Sequence, residues 1–256
     1  MNEIKPIGEC GVDSAQLLVV DPKIYSENWK EEEFKASRRF KHIATGDIIS
    51  EGEHFTNFER DCLSEYGGKN MNTMIAENEV EQLPYLPAKE VLSYNACCIA
   101  TLQEDFGILG EGVAAVTRTG IGDGCYDVFP IETKEGTRKG VQAVFIEEFD
   151  LSLCMTDCEG QIKVESGLIM LMDPCYIRGG SENGASPQEV ALKAMEARSK
   201  GSLQMNYDMG HSGLGVLIQV ENGLYDVYFQ KAEVRDEDGR SWGERVLGIA
   251  LVKSEE

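Results

Sequence analysis

A cysteine, a histidine and an aspartate in the second half of the chain have the residue types of a nucleophilic site. Cys175 directly follows Asp173-Pro174, and His211 lies in the glycine-rich segment GHSGLG. A thiol becomes an effective nucleophile when a nearby base takes its proton, and a third group commonly orients that base. Cys175, His211 and Asp173 are therefore the candidate catalytic residues of a small hydrolase or ligand-binding enzyme.

The same residues also have a structural interpretation, which we favour. Cysteine is among the residue types most often buried, and the pattern matches no known cysteine-protease signature. Ile108 occupies the position in the first half of the chain that we align with His211. An apolar side chain therefore suits that position, and His211 is interpreted as a core residue.

The sequence predicts no metal site and no cofactor. The segment RDEDGR, residues 235–240, resembles the start of a calcium loop but lacks the later ligands. Cys154 and Cys158 have no second Cys/His pair nearby, which a structural zinc site needs. The glycine-rich segments are not followed by the Lys-Ser/Thr of a phosphate-binding loop.

The charge balance favours a protein as the binding partner. The chain of 256 residues has 45 acidic and 24 basic residues and a net charge of −21. Such a surface repels the phosphates of nucleic acids, and it can dock onto a basic protein surface. Aromatic, acidic and basic residues of the recurring segments are the predicted binding residues: Asp123, Tyr126, Tyr176, Tyr225, Trp242 and Arg245.

The chain is expected in the cytoplasm of a host cell or in a virion, and not among secreted proteins. No apolar run approaches the ~20 residues of a membrane-spanning helix, and the start of the sequence lacks the features of a signal peptide. The eight cysteines show no spacing of a disulfide scaffold. We therefore predict reduced thiols and no membrane partner.

Several segments occur twice in the same order, which predicts an internal duplication. VDSAQLLVVDPKIY begins at Val12, and VESGLIMLMDPCYI begins at Val164. A Tyr-Asp-Val triplet follows in each half, and three glycines of one half match three of the other: Gly107, Gly110 and Gly112 with Gly210, Gly213 and Gly215. The predicted domains are residues 1–150, with an insertion at about 43–92, and residues 151–256.

Most of the repeated segments have the pattern of β-strands. Short apolar runs such as QLLVV and LIMLM end at Asp-Pro, and glycine-bearing turns at Asp123-Gly124 and Asn222-Gly223 predict hairpins. Helices are predicted from Ser26 and from Ser186, where a capping residue precedes a helical pattern. The predicted fold is mainly β (α+β), with two duplicated antiparallel β domains, side by side or fused, and a few peripheral helices.

These segments resemble an uncharacterised family of phage and bacterial proteins. The resemblance rests on Asp-Pro-Cys-Tyr at residues 173–176, Gly-His-Ser-Gly-Leu-Gly at 210–215 and Trp-Gly-Glu-Arg at 242–245. It also includes Gly-Ile-Gly-Asp-Gly-Cys-Tyr at 120–126 and Ser-Tyr-Asn-Ala-Cys from residue 93. It implies a phage or prophage context and no reaction. The sequence therefore predicts an acidic, non-enzymatic protein-binding or virion structural protein.

Overall fold

The computed structural model describes residues 5–35, 38–86, 89–133, 137–154, 157–176, 196, 204–208, 214–236 and 238–255. Strands hold 47% of the chain and helices 16%, which confirms the predicted mainly β, antiparallel fold class. His211 and nearly all of the helix predicted from Ser186 lie outside the described residues. None of the described helices has the length and apolar character that a membrane crossing needs.

The chain forms two compact units, which divide it differently from the predicted domains. Residues 1–33 and 88–256 form the large unit, and residues 34–87 form the inserted unit. The inserted unit thus begins nine residues before the predicted insertion at 43–92 begins, and it ends five residues before that insertion ends. Each of the two main sheets of the large unit takes strands from both sides of the predicted boundary at residue 150.

Two six-stranded sheets form the large unit. Sheet A has the order β1 (Gly8–Val12), β10 (Gly124–Glu132), β11 (Arg138–Val144), β17 (Ser241–Lys253), β16 (Gly223–Arg235) and β12 (Gly160–Val164). Sheet B has the order β14 (Gln204–Asp208), β15 (Leu214–Gln219), β13 (Leu168–Met172), β2 (Gln16–Val20), β9 (Ala114–Arg118) and β8 (Phe106–Leu109). All neighbouring strands in both sheets are antiparallel.

The main core lies between the two sheets. Val128, Val141 and Ile249 of sheet A form one buried cluster with Leu17 and Ile169 of sheet B. The strands of sheet B are apolar on both faces, because a second cluster lies on their other side. There Leu18 and its neighbours pack against α3 (Tyr94–Glu104), which begins after the capping residue Ser93.

The two halves of each sheet have the same strand order and the same register. In sheet A, Cys10 lies opposite Tyr126, and Ile162 lies opposite Tyr225 in the corresponding pair of strands. In sheet B, β2 and β13 pair at the centre, with their outer neighbours β9 and β15 in corresponding positions. This agreement is what a duplication would produce, and the duplication itself stays a prediction.

The strand registers correct the alignment of the two halves of the chain that was based on their glycines. Ile108 lies opposite Ala115, and Asn206 lies opposite Val216. Ala115 and Val216 occupy corresponding positions beside the central strands, so Ile108 corresponds to Asn206 and not to His211. Gly110 and Gly112 lie in a turn between β8 and β9 rather than in a strand, and both have positive φ.

Two further sequence predictions are wrong. The turns at Gly124 and Gly223 do not close hairpins, because each connects a strand of sheet B to a strand of sheet A. The helix predicted from Ser26 begins earlier: α1 spans Pro22–Asn28, and its N-cap is Asp21. The chain is extended from Trp29, where β3 (Trp29–Lys30) pairs in parallel with β7 (Leu92–Ser93). Leu151–Cys154 forms the short helix α4.

The inserted unit has its own small core. Its sheet has the order β5 (Ile48–Ser50), β4 (Arg39–His42) and β6 (Val80–Leu83), with a 3-10 turn at Ser64–Tyr66 and the helix α2 (Met71–Ala76). Buried apolar residues fill the unit: Phe40, Ile49, Phe55, Met71 and Met74. This separate cluster explains why residues 34–87 form a compact unit.

Gly140→Ala is expected to lower the free energy of unfolding by about 2–3 kcal/mol, as overpacking of a close backbone contact does. Gly140 lies opposite Val252 at the β11–β17 junction, and an added Cβ would overlap the carbonyl oxygen of Leu251. Gly124→Ala is the control, because its Cβ would meet Tyr126 at an ordinary 3.6 Å. Denaturant unfolding measures both changes; equal stability of the two variants would contradict this packing.

Candidate functional site

Asp173 is fully buried at the end of the central strand β13. One of its oxygens accepts hydrogen bonds from the backbone N–H groups of Asp13 and Ser14, both at 2.7 Å. The other accepts from the Ser14 hydroxyl at 2.6 Å and from the Cys175 N–H at 2.7 Å. Its carboxylate thus joins its own strand end to the loop between β1 and β2.

Asp21 has the corresponding role at the end of β2. It is fully buried, and one oxygen accepts from the N–H groups of Glu165 and Ser166 at 2.6 and 2.7 Å. The other oxygen accepts from the N–H of Lys23 at 2.7 Å and caps α1. Each Asp-Pro aspartate therefore holds the loop that leads into the opposite central strand.

Cys175 lies beside Asp173 in a 3-10 turn, Pro174–Tyr176, but its environment does not favour a thiolate. Burial raises the pKa of the Cys175 thiol well above its usual range, and the negative charge of Asp173 raises it further. A protonated thiol is a poor nucleophile. The seven cysteines described with their side chains form no disulfide, Cys175 among them.

The structure brings together two of the three candidate catalytic residues. Asp173 and Cys175 are neighbours, and the carboxylate of Asp173 is already bonded to four protein donors. His211 lies outside the described residues. The four hydrogen bonds of Asp173 give it a structural role. This role accounts for its burial without any contribution to catalysis.

Two of the three predicted binding tyrosines, Tyr126 and Tyr225, are buried and hold turns. The Tyr126 hydroxyl donates to the carbonyl oxygen of Gly122 at 2.5 Å, and that of Tyr225 donates to Glu221 at 2.8 Å. Burial raises the pKa of Tyr225 to about 12 and also raises that of Tyr126. Each hydroxyl thus fixes the turn that precedes its strand in sheet A.

Two of the other predicted binding residues, Asp123 and Arg245, lie near each other, because the Ala15 that bonds to Asp123 lines the same cleft as Arg245. Asp123 accepts a hydrogen bond from the Ala15 N–H at 3.0 Å, and Trp242 is 47% exposed on β17. Arg245 lines a cleft of about 160 Å³ with Arg118 and Glu244. The side chain of Tyr176 lies outside the described residues.

Part of the positive charge in the cleft beside Arg245 is compensated within the chain. Asp105, which also lines it, pairs with Arg118 at 3.1 Å and with Lys231 at 3.0 Å. Burial alone would raise the pKa of Asp105, but the hydrogen bonds from Lys231 and Arg118 lower it overall. The carboxylate is therefore ionised and offsets part of the charge of these two cations.

A larger groove lies on sheet A, along β1, β10 and β11. It has a volume of about 640 Å³, and we call it the acidic groove. Four partly buried apolar side chains form its floor: Phe129, Val144, Ile146 and Phe149. Three acidic residues lie along it: Glu9, Asp127 and Glu147. The groove thus combines apolar surface with negative charge.

Two of these carboxylates face each other across neighbouring strands. Glu9 of β1 lies directly opposite Asp127 of β10. Glu9, Asp127 and Glu147 form no ion pair within the part of the chain that the structure describes. The groove therefore presents uncompensated negative charge beside an apolar floor.

The comparisons with known proteins find nothing similar. No protein family, curated protein or solved structure matches the chain. The resemblance to phage and bacterial proteins therefore stays a prediction. Among the described residues, no group of three or more His, Cys, Asp or Glu side chains is arranged to hold a metal ion.

The acidic groove was not predicted from the sequence. Asp127 is part of the repeated Tyr-Asp-Val triplet, but its opposite residue Glu9 precedes Val12, where the detected repeat begins. Extending the repeat by four residues would have aligned GECGV with GQIKV. That alignment places Glu9 at the position of Gln161, a change from a neutral amide to a charge.

Asp173→Asn and Asp21→Asn are each expected to destabilise the fold by about 2–4 kcal/mol, because an amide NH₂ would face backbone N–H donors in a buried place. Asp150→Asn is the matched control, since Asp150 is exposed and its acceptor oxygen survives the change. Urea unfolding measures the three variants. A stability of Asp173→Asn equal to that of Asp150→Asn would exclude the structural role.

Cys175 is expected to react with iodoacetamide at pH 8 more slowly than the exposed Cys62, Cys125 and Cys158. Its raised pKa leaves a smaller thiolate fraction, and the thiolate is the reacting species. Peptide mass spectrometry after timed alkylation of the native protein measures the four rates. Modification of Cys175 ahead of the exposed thiols would instead support a nucleophilic cysteine.

Proposed function

We propose that this protein is a non-enzymatic, phage- or prophage-associated protein that binds another protein through a basic surface of that partner. The observation that supports this most directly is the acidic groove, where apolar side chains and unpaired carboxylates lie together. Apolar area supplies binding free energy, and charge selects the partner and speeds the encounter.

The charge of the whole chain supports the same proposal. Acidic residues exceed basic residues by 21, and the three carboxylates of the groove form no ion pair with any described lysine or arginine. Several lysines and arginines are already in ion pairs, among them Lys23 with Glu165 and Lys253 with Glu221. A basic partner surface would be attracted over about 8 Å at physiological ionic strength, the distance over which exposed charges are screened.

The enzymatic alternative has weaker support. A hydrolase centred on Cys175 and His211 needs a thiolate, and both burial and Asp173 disfavour one. Asp173 would also have to give up hydrogen bonds to the loop at Asp13 and Ser14 in order to orient an imidazole. A binding role needs neither change.

The test is capture of partners from phage-infected and uninfected cell lysates, followed by binding measurements with the purified, identified partner. We expect a protein whose affinity falls about tenfold between 50 and 300 mM salt, because exposed charge pairs are screened. Cys175→Ser should bind the partner as tightly as the wild-type protein. Recovery of only nucleic acid or small molecules, or affinity insensitive to salt, would contradict the proposal.

A further inference from the structure

We propose that Glu9 and Asp127 together hold an arginine side chain of the partner, while apolar side chains next to that arginine lie on the floor of the acidic groove. This inference rests on the proposed function and names the chemistry of the partner at one site. It follows from three observations: the facing carboxylates, the corresponding pair in the other half of sheet A, and the floor.

The facing carboxylates are unfavourable in the isolated protein. Residues directly opposite on antiparallel strands have Cβ atoms about 4.5–5.5 Å apart, and like charges in this position destabilise a sheet. Glu9 and Asp127 occupy such a position, and no described lysine or arginine pairs with either. A cation between them would remove the repulsion and would gain two ionic partners.

The corresponding position in the other half of sheet A is complete within the chain. Gln161 lies opposite Asp226 with the register that places Glu9 opposite Asp127. The Gln161 amide donates to the Asp226 carboxylate at 2.7 Å, and the Ser254 hydroxyl donates to the same oxygen at 2.8 Å. The fold therefore accommodates a hydrogen-bonded pair with a single charge here, and the first half has two charges instead.

The floor of the groove favours a guanidinium over other cations. Phe129 lies on β10 two residues after Asp127, and Phe149 lines the same groove farther from the carboxylates, against Gly248 of β17. A guanidinium stacks on aromatic rings, is weakly hydrated, and donates from a planar fork to more than one carboxylate oxygen. A calcium ion needs six to eight oxygen ligands, and apolar side chains supply none.

The probe is a fluorescently labelled peptide of six alternating leucine and arginine residues, tested by fluorescence anisotropy in low salt. The control peptide has citrulline, which is neutral and nearly the same shape, in place of each arginine. We expect the wild-type protein to bind the arginine peptide at least tenfold more tightly. Equal binding of the two peptides, or no binding of the arginine peptide, would overturn the inference.

Three variants locate the binding. Glu9→Gln and Asp127→Asn should each weaken binding of the arginine peptide about tenfold, the loss expected for one charged hydrogen bond. Asp226→Asn should leave binding unchanged, because its carboxylate is already bonded within the chain. Equal affinity of Glu9→Gln and the wild-type protein would overturn the inference.

Thermal unfolding separates a binding role from a merely structural one. Glu9→Gln should raise the Tm by about 1–3 °C, because it removes a cross-strand repulsion, while binding falls. Asp226→Asn should lower the Tm while binding is kept. A fall in the Tm of Glu9→Gln would show that the carboxylate stabilises the fold, which would contradict the proposal.

Two further outcomes distinguish this inference from the proposed function. If the partner captured from lysate binds Glu9→Gln and Asp127→Asn as tightly as wild type, the arginine site is wrong and the binding function stands. If calcium chloride raises the Tm of the wild-type protein but not of Glu9→Gln, and the peptide does not bind, the pair is a metal site and the inference fails.

Discussion

The large unit depends on the hydrogen bonds that the buried carboxylates of Asp21 and Asp173 accept. The loops that they hold, at residues 13–15 and 165–167, are the places where the chain passes from sheet A into sheet B. Each aspartate is at the end of a central strand of sheet B and bonds the loop that enters the other central strand. The pairing of β2 with β13 and the stacking of the two sheets are therefore fixed by the same groups.

The acidic groove follows from this arrangement together with the tight centre of sheet A. At the junction of β11 and β17, Gly140 and Gly248 leave no room for a side chain beside the neighbouring backbone. The ring of Phe149 lies against Gly248 of β17, and Phe129 lies on β10, beside the edge strand β1. The aromatic floor and the charges of β1 and β10 thereby share one face.

The strands could be predicted from the sequence. Short apolar runs that end at Asp-Pro or at a glycine-bearing turn are typical of β-strands and of few other structures. The sequence did not reveal which strands are neighbours. The turns at Gly124 and Gly223 have the residues of hairpins, but the strands before them are buried on both faces and belong to sheet B. The role of Asp173 could not be predicted either, since its donors at Asp13 and Ser14 lie 160 and 159 residues away in the chain.

Two short strands of the large unit flank the inserted unit in the sequence, and they pair with each other. Before the insertion, Trp29 and Lys30 form a strand in parallel with Leu92 and Ser93, which follow it. Neighbouring strands lie about 4.8 Å apart, so the segments of the large unit that flank the inserted unit in the sequence are already joined by backbone hydrogen bonds. Because the two strands are parallel, a connection of a dozen or more residues is needed between them, and a different module of at least that length could replace the inserted unit.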